Sequence, residues 1–376
     1  MSKKPRKYNI LILTNVRWWN ATAFYAVNIG RILKENGHQV TIGCRKVYPA
    51  FSQAASHGLN VVPLGFDGLN IFSLLKSFFK LLRFIREHDI HIINTHRSED
   101  HTFALLAKFL TGVKVVITRG DRRPISRNPL SLLKYRWCDA VILTCRSILE
   151  KNRHIFETIT KNVRVIYGSV NEEHLKPSRD KKSTLEKYGI DTGKQIVGIA
   201  GRLSPVKGHA TFIKAAAKVL EQEKDVFFII AGKEVEIKRS DIVNMLDALK
   251  IADHFILLPQ IDDITEVINL FDIGVITSIG SETISRVLLE YMFLQKPVIG
   301  TRINAIREII QPGINGALVM PEDPTVLSNE IKKLLADRSL MKTYGENSRS
   351  LYQQNYSEDR FYEKTIRVFE NLLIVH

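Results

Sequence analysis

Residues 195–209 read QIVGIAGRLSPVKGH. The run 195–200 is almost wholly apolar and ends in a turn that opens on Gly201 and closes on Gly208. An apolar run without strict alternation fits a strand of a parallel sheet covered on both faces. In open α/β sheets ligands bind at the carboxyl ends of the strands, so this turn is a natural place for chemistry. It lacks the GxxxxGK[ST] order of a Walker loop. What it offers is two cations, Arg202 and Lys207, on a turn stiffened by Pro205. An arginine fork and a lysine point charge suit a diphosphate; on these residues alone a solvated basic turn is an equal reading.

Working outward, the same unit recurs. Strands are expected at 8–14, 39–44, 60–64, 90–94, 114–118, 140–144 and 163–167, then at 195–200, 226–231, 254–259, 272–277, 297–301 and 317–320, with helical stretches between them. Two such series predict two doubly wound α/β domains. The boundaries expected are a first domain over 1–170, a polar, lysine-rich linker over 171–194, a second domain over 195–355, and a helix over 356–376 returning to the first domain. A length of 376 residues fits two cores.

Composition narrows the partners. Lys and Arg outnumber Asp and Glu 54 to 39, a net charge of +15, which favours anionic ligands without choosing among nucleic acid, lipid headgroups and phosphorylated small molecules. The basic residues are dispersed and not interleaved with aromatics, so nucleic acid is not expected as a partner. The three cysteines, Cys44, Cys138 and Cys145, form no CxxC pair, and no histidine cluster has zinc spacing. That pattern suits a reducing cytoplasm. The apolar core 10–13 behind the basic start is too short for a signal peptide, and no run reaches the ~20 residues of a membrane span.

The stretch 69–88, LNIFSLLKSFFKLLRFIREH, places Lys76, Lys80 and Arg83 on one helical face beside a broad apolar surface. One reading is an interfacial helix on an anionic membrane. The other, favoured because a βαβ crossover is required here, is a helix packed on the first sheet with its basic face in water.

Residues 281–292, SETISRVLLEYM, carry Glu282 and Glu290. In one helix these would stand ~80° apart and ~12 Å along the axis, so they cannot form a paired-carboxylate site. The better picture puts Glu282 in a loop after the strand 272–277 and starts a helix near Ile284, with anion-binding N–H groups near Ser285 and Arg286. Glu290 then lies among Val287, Leu288, Leu289, Tyr291 and Met292. A buried charge needs hydrogen bonds; an arginine of the fold or the hydroxyls of a sugar would supply them.

With E-x7-E from Glu282 to Glu290, the segments KPVIGT at 296–301 and REIIQPGING at 307–316, GRLSPVKGH at 201–209, VIYGSV at 165–170, QIDDI at 260–264 and Thr95-His96, the chain resembles the GT4-type retaining glycosyltransferases of bacterial lipopolysaccharide and envelope synthesis. The resemblance spans essentially the whole chain. It implies the GT-B fold, two facing Rossmann-like domains with a cleft between them.

It also implies roles for particular residues. Arg202 and Lys207 would neutralise the donor diphosphate, with Gly201 opening the turn. The main-chain amides of Thr283, Ile284, Ser285, Arg286 and Val287 would hold phosphate or donor sugar. Glu282 would contact the hydroxyls of the donor sugar and Glu290 the ribose. His96 would face the donor from the first domain, and Gln260, Ile261 and Asp262 would lie by the base. The implied reaction retains anomeric configuration and needs no metal or other cofactor. Its partners would be a nucleotide-sugar donor, a glycan or lipid-linked acceptor and an anionic membrane surface, with the protein cytoplasmic and peripheral at the inner face of the membrane.

Two positions depart from the family pattern. Asn20 and Ala21 stand where the first loop often has Gly-Gly, and Ser285 stands where many relatives have Gly or Pro. The enzymatic alternative is a GT-B sugar-nucleotide epimerase or hydrolase; a further one is a non-catalytic anion- or nucleic-acid-binding protein.

Overall fold

The computed structural model describes residues 6–66, 70–159, 162–177, 179–190, 193–259, 264–280 and 282–374. The chain divides into two compact units, residues 1–169 with 358–376 and residues 170–357.

In the first unit the strands are β1 (Asn9–Leu13), β2 (Gln39–Cys44), β3 (Asn60–Pro63), β4 (Ile92–Thr95), β5 (Lys114–Arg119), β6 (Ala140–Leu143) and β7 (Val163–Val165). They form one parallel sheet in the order β3-β2-β1-β4-β5-β6-β7. Ile10 through Leu13 are all fully buried, as apolar strands covered on both faces must be. The chain reverses direction across the sheet between β1 and β4. Right-handed crossovers therefore put helices Ala21–Glu35 and Pro49–Ser56 on one face, and Ile71–Glu87, Ser98–Thr111 and Pro129–Trp137 on the other.

Helix Ile71–Glu87 confirms the crossover reading of its inner face. Leu81, Leu82 and Ile85 join Leu11, Leu13, Ile93 and Leu105 in one core cluster. Its start is set by Asn70, whose side chain accepts the N–H of Ser73 at 2.9 Å. Ile71, Phe72, Leu75 and Phe79 stay outside that core and are exposed.

Helix Glu358–Ile374 packs on Ala21–Glu35 within the first unit. Phe361 meets Tyr25 edge to face at 4.7 Å, His38 Nε2 lies 3.1 Å from the Tyr362 hydroxyl, and Glu358 pairs with the buried Arg31.

The second unit holds β8 (Gln195–Ala200), β9 (Val226–Ala231), β10 (Phe255–Leu258), β11 (Ile273–Ile276), β12 (Val298–Thr301) and β13 (Gly316–Val319). Their order is β10-β9-β8-β11-β12-β13, again parallel throughout. The reversal falls between β8 and β11, so the turn after Ala200 and the loop after Ile276 emerge side by side.

The sequence reading sets 171–194 apart as a linker, whereas in the structure these residues count with the second unit. Helix Lys181–Lys187 starts on an Asp180 cap. Arg179 and Lys187 pair with the buried Glu266 at 3.3 and 3.1 Å, and Lys181 with Asp272 at 2.7 Å. The basic composition serves carboxylates roughly 80 to 90 residues away, a pairing that local composition does not reveal.

Among the described residues no helix is long and apolar enough to cross a membrane.

Candidate active site

In the second unit, the turn after β8 and the loop after β11 are tied together by hydrogen bonds. Ile279 N–H donates to the Val206 carbonyl at 2.9 Å, and the Thr277 hydroxyl donates to the Lys207 carbonyl at 2.9 Å. Residues 205–207 form one 3₁₀ turn that ends on Gly208 at φ +69°. There the backbone runs so close to Thr277 that a Cβ would strike its carbonyl oxygen. That approach brings Lys207 over the 277–285 loop.

Glu282 is in that loop, as expected, and buried. Its Oε1 accepts from the Ser278 hydroxyl at 2.7 Å and forms an ion pair with Lys207 Nζ. The Glu282 carbonyl accepts the Ala305 N–H at 2.9 Å, which anchors the loop to the start of helix Asn304–Ile309. The sequence reading gave Lys207 and Glu282 separate partners in a donor. The structure joins them directly, 75 positions apart.

Ser285 is the N-cap of helix Arg286–Phe293, which starts two residues beyond the expected Ile284. Ser285 Oγ is buried yet makes no hydrogen bond, and the same holds for Ser204 Oγ and His209 Nδ1. His209 Nε2 lies 3.0 Å from the Arg202 carbonyl, so this nitrogen donates and Nδ1 is left as an acceptor. Burial lowers the His209 pKa, with the Arg202 carbonyl opposing and Lys207 adding to the fall. Orphaned buried polar atoms are uncommon and call for a partner; two of them flank this turn and one caps the helix start. A small cavity opens here, lined by Gly201, Lys207, His209, Thr277, Ser278 and Val287 among others.

Arg202, by contrast, is exposed. Glu290 is buried on the inward side of its helix, and Arg286, one turn upstream, reaches its Oε1 at 3.0 Å. The arginine of the fold is therefore the donor found for that buried carboxylate. Tyr291, fully buried, accepts the Ala200 N–H at 2.8 Å and so fixes the end of β8 where the basic turn begins. Thr283 and Ile284 are half-buried in the loop. Gln260, Ile261 and Asp262 lie outside the described residues.

His96, Asn20 and Ala21 belong to the first unit. Asn20 caps helix Ala21–Glu35, its Oδ1 accepting the N–H groups of Thr22 and Ala23 at 3.0 and 3.1 Å. The Asn at that position thus does a helix-capping job. His96 directly follows β4 and is buried; its Nε2 lies 2.9 Å from Asn94 Oδ1, and burial drives its pKa down to about 3.

Around it is a polar cluster that sequence reasoning missed. Asp100 accepts from Asn15 Nδ2 at 2.6 Å and from the Asn15 N–H at 3.1 Å. Burial pushes the Asp100 carboxyl up to about 7 against those two hydrogen bonds. Thr95 Oγ1 lies 2.7 Å from His101 Nδ1. The available signal was the density of titratable residues in THRSEDH, 95–101, directly after a strand.

With this geometry in view, comparison with known proteins is direct. Residues 180–351 match the family described as glycosyl transferases group 1, and residues 22–174 match glycosyltransferase family 4. The chain belongs to the glycosyltransferases. Among curated relatives, this glycosyltransferase is 27% identical to N-acetyl-alpha-D-glucosaminyl L-malate synthase of Bacillus anthracis over 349 residues, 88% of each chain. The fold is shared with a glycosyltransferase from Rickettsia africae, at TM-score 0.87 and 20% identity over 99% of this chain and 100% of that one. It is also shared with Anabaena HepE, solved in complex with UDP, at TM-score 0.83 and 18% identity over 96% and 100%. The two Rossmann-like parallel-sheet domains are those of the GT-B class expected from the sequence. Among the described residues no group of three or more His, Cys, Asp or Glu could hold a metal ion.

Proposed function

We propose that this glycosyltransferase moves a sugar, with retention of anomeric configuration, from a nucleotide-sugar donor to a hydroxyl of a glycan or lipid-linked acceptor in cell-envelope glycan synthesis, lipopolysaccharide included. No metal or cofactor takes part, and the donor is a substrate. The observation that carries this reading is the cluster at the carboxyl ends of β8 and β11. Lys207 pairs with Glu282 in the loop that leads into helix Arg286–Phe293, and three polar atoms here have no partner, Ser204 Oγ and His209 Nδ1 flanking the basic turn and Ser285 Oγ at the helix start.

A cation and helix-start N–H groups are suited to a diphosphate, and unsatisfied hydroxyls to its oxygens. The UDP bound to Anabaena HepE supports a nucleoside diphosphate as the ligand class. The malate acceptor in the name of the Bacillus relative is a reminder that the acceptor hydroxyl can sit on a small acid.

In the reaction proposed, the bond from the anomeric carbon to the diphosphate oxygen breaks as the acceptor oxygen bonds to the same face of the sugar. The acceptor proton passes to the departing diphosphate. Lys207, Arg202 and the start of helix Arg286–Phe293 stabilise the charge that develops there. Glu282 orients sugar hydroxyls and Glu290 the ribose.

Incubation with labelled UDP-, GDP- and ADP-sugars, with and without glycan or lipid-linked acceptors, tests the reading. Acceptor-dependent transfer is expected. Epimerisation or hydrolysis that runs equally well without acceptor would overturn it. Lys207→Ala should lower turnover by roughly 10²–10³-fold; unchanged turnover removes Lys207 from the site.

A further inference from the structure

We propose that the carboxyl edge of the first sheet holds the acceptor, and that this acceptor is a glycan bearing anionic groups on more than one of its sugars. The proposal deepens the transferase reading and rests on it, because the occupant is that reaction's acceptor. An arginine stands at the end of each of five neighbouring strands: Arg45 after β2, Arg17 after β1, Arg97 after β4, Arg119 as the last residue of β5 and Arg146 after β6. Among the described residues the amino edge has no such row, its strands β2, β4 and β6 being entered through His38, His91 and Asp139. The carboxyl-edge segments 14–20, 45–48, 96–100, 119–123 and 144–147 together hold eight Lys and Arg against three Asp and Glu. Of those acids, Asp100 is buried and committed to Asn15, Glu99 pairs with Arg97 at 3.1 Å, and Asp121 pairs with Arg123.

The strand ends that carry this row are cross-braced by buried polar side chains. Asn15 Oδ1 accepts the Arg45 N–H at 2.9 Å, joining the segments after β1 and β2, and Asp100 ties Asn15 to the segment after β4. Asn94 Nδ2 donates to Thr118 Oγ1 at 2.8 Å, between β4 and β5. The Thr144 N–H donates to the Arg119 carbonyl at 3.2 Å, between β5 and β6. Satisfied buried networks of this kind rigidify what they join, so the arginines stand on a firm base. Two donors at this edge are buried without a hydrogen bond, Thr14 Oγ1 directly after β1 and Arg119 Nε. Such atoms call for an acceptor, which the oxygens of an anion supply.

The residue type and the length of the row select the occupant. Arginine, not lysine, fills every position, and its fork matches phosphate and carboxylate alike. Neighbouring strands stand ~4.8 Å apart, so the row from β2 to β6 spans ~19 Å. One phosphate or one carboxylate cannot reach along it, whereas anionic groups on successive sugars can. Trp18, more than half exposed beside Arg17, adds an apolar ring face of the kind a sugar ring can lie against.

The test is calorimetry on the full chain, with the nucleotide that the protein binds present to fill the donor site. The probes are a phosphorylated oligosaccharide released from lipopolysaccharide, the same oligosaccharide after dephosphorylation, oligogalacturonate and neutral maltotetraose. At least one anionic probe is expected to bind ~10-fold or more tighter than maltotetraose. Loss of that preference on dephosphorylation makes phosphate the recognised group, and tight oligogalacturonate makes it carboxylate. The double variant Arg17→Gln, Arg146→Gln, at two exposed positions, should weaken anionic binding at least ~10-fold with nucleotide affinity unchanged. Arg17→Lys with Arg146→Lys should recover part of the loss, since the charge returns without the fork. Lys214→Gln with Lys224→Gln removes two exposed charges from the second unit and should change nothing. The proposal is overturned if no probe binds, if maltotetraose binds as tightly as the anionic probes, or if the lysine pair weakens binding as much as the arginine pair. A parallel fall in nucleotide affinity would also overturn it, by giving the arginines to the donor, as would tighter binding of single-stranded oligo(dT) than of any glycan. Failure of the transferase reading shows separately, as turnover absent with every nucleotide sugar while glycan binding persists.

Discussion

Lys207 and the buried Glu282 form an ion pair at the point where the two strand-end segments of the second unit meet. Their identities were readable as a cation in a glycine turn and a carboxylate after a strand; their contact was not, because it depends on β8 lying beside β11. Glu290 shows the same limit from the other side. Its burial followed from the apolar residues around it, but the choice between Arg286 and a ligand as its partner needed the helix itself. An i,i+4 pair on a helix is worth only about 0.3–0.5 kcal/mol. Glu290→Gln should therefore shift the melting temperature little while weakening nucleotide binding about tenfold, as read by calorimetry on the nucleotide that the parent binds. If the variant instead unfolds, Glu290 is a structural carboxylate.

His96 gives a pH signature. Its folded pKa of about 3 lies below the ordinary histidine value because burial disfavours the charged ring. Between about pH 6.5 and 3 the unfolded chain therefore binds a proton that the folded chain does not, and stability falls as pH falls through that window, by up to ~1.4 kcal/mol per pH unit. Asp100 acts in the opposite sense, its raised pKa making the folded state lose stability as pH rises from about 4 to 7. Taking His96→Gln minus parent isolates the histidine. Urea unfolding at pH 7 and pH 5 should show the variant losing less stability than the parent on acidification; equal losses would place His96 in water.

Strands and helices were the most legible level, because near-continuous apolar runs leave little freedom in a parallel sheet. The expected strands 8–14 and 163–167 shorten to Asn9–Leu13 and Val163–Val165, since pairing with neighbours decides where a strand stops. The helix after Glu282 starts two residues later than expected, as Ser285 takes the cap position. Glycine turns test how much of this local geometry is obligatory. Gly208 and Gly112 have nearly the same left-handed backbone, φ +69° and +75°, but a Cβ meets the Thr277 carbonyl at Gly208 and nothing within 4 Å at Gly112. Gly112→Ala should cost only about 1–2 kcal/mol of backbone strain. Gly208→Ala adds a main-chain collision, so its loss in urea unfolding should be at least ~2 kcal/mol larger, with turnover lost because Lys207 moves with the turn. Equal losses for the two variants would mean that the approach to Thr277 is not a constraint.

The division into two units follows from two separate sheets, each with its own core, but the path of the chain between them was only partly visible. Residues 171–194 looked like a linker because they are polar and lysine-rich; the partners of Lys181 and Lys187, Asp272 and Glu266, lie much further along. The last helix is the reverse case. Glu358–Ile374 is an ordinary amphipathic pattern whose destination shows only in its contacts, where Phe361 and Phe369 are fully buried in the first unit. Each buried aromatic withdraws roughly 150–250 Å² from water, or about 4–6 kcal/mol at ~25 cal/mol per Å² as an upper bound. That is comparable to the ~5–15 kcal/mol net stability of a typical domain. A chain ended at Ser357 would uncover Tyr25 and strip the buried Arg31 of Glu358, one of its two carboxylate partners, leaving Glu35 alone to balance it. Scanning calorimetry should resolve the consequence. The transition of the first unit is expected to fall by at least ~10 °C or to vanish, while that of the second unit, which has no residue in the deleted segment, stays within ~2 °C. A uniform fall of both transitions would mean that the two units unfold as one body, and an unchanged profile would mean that the helix contributes nothing to the core it covers.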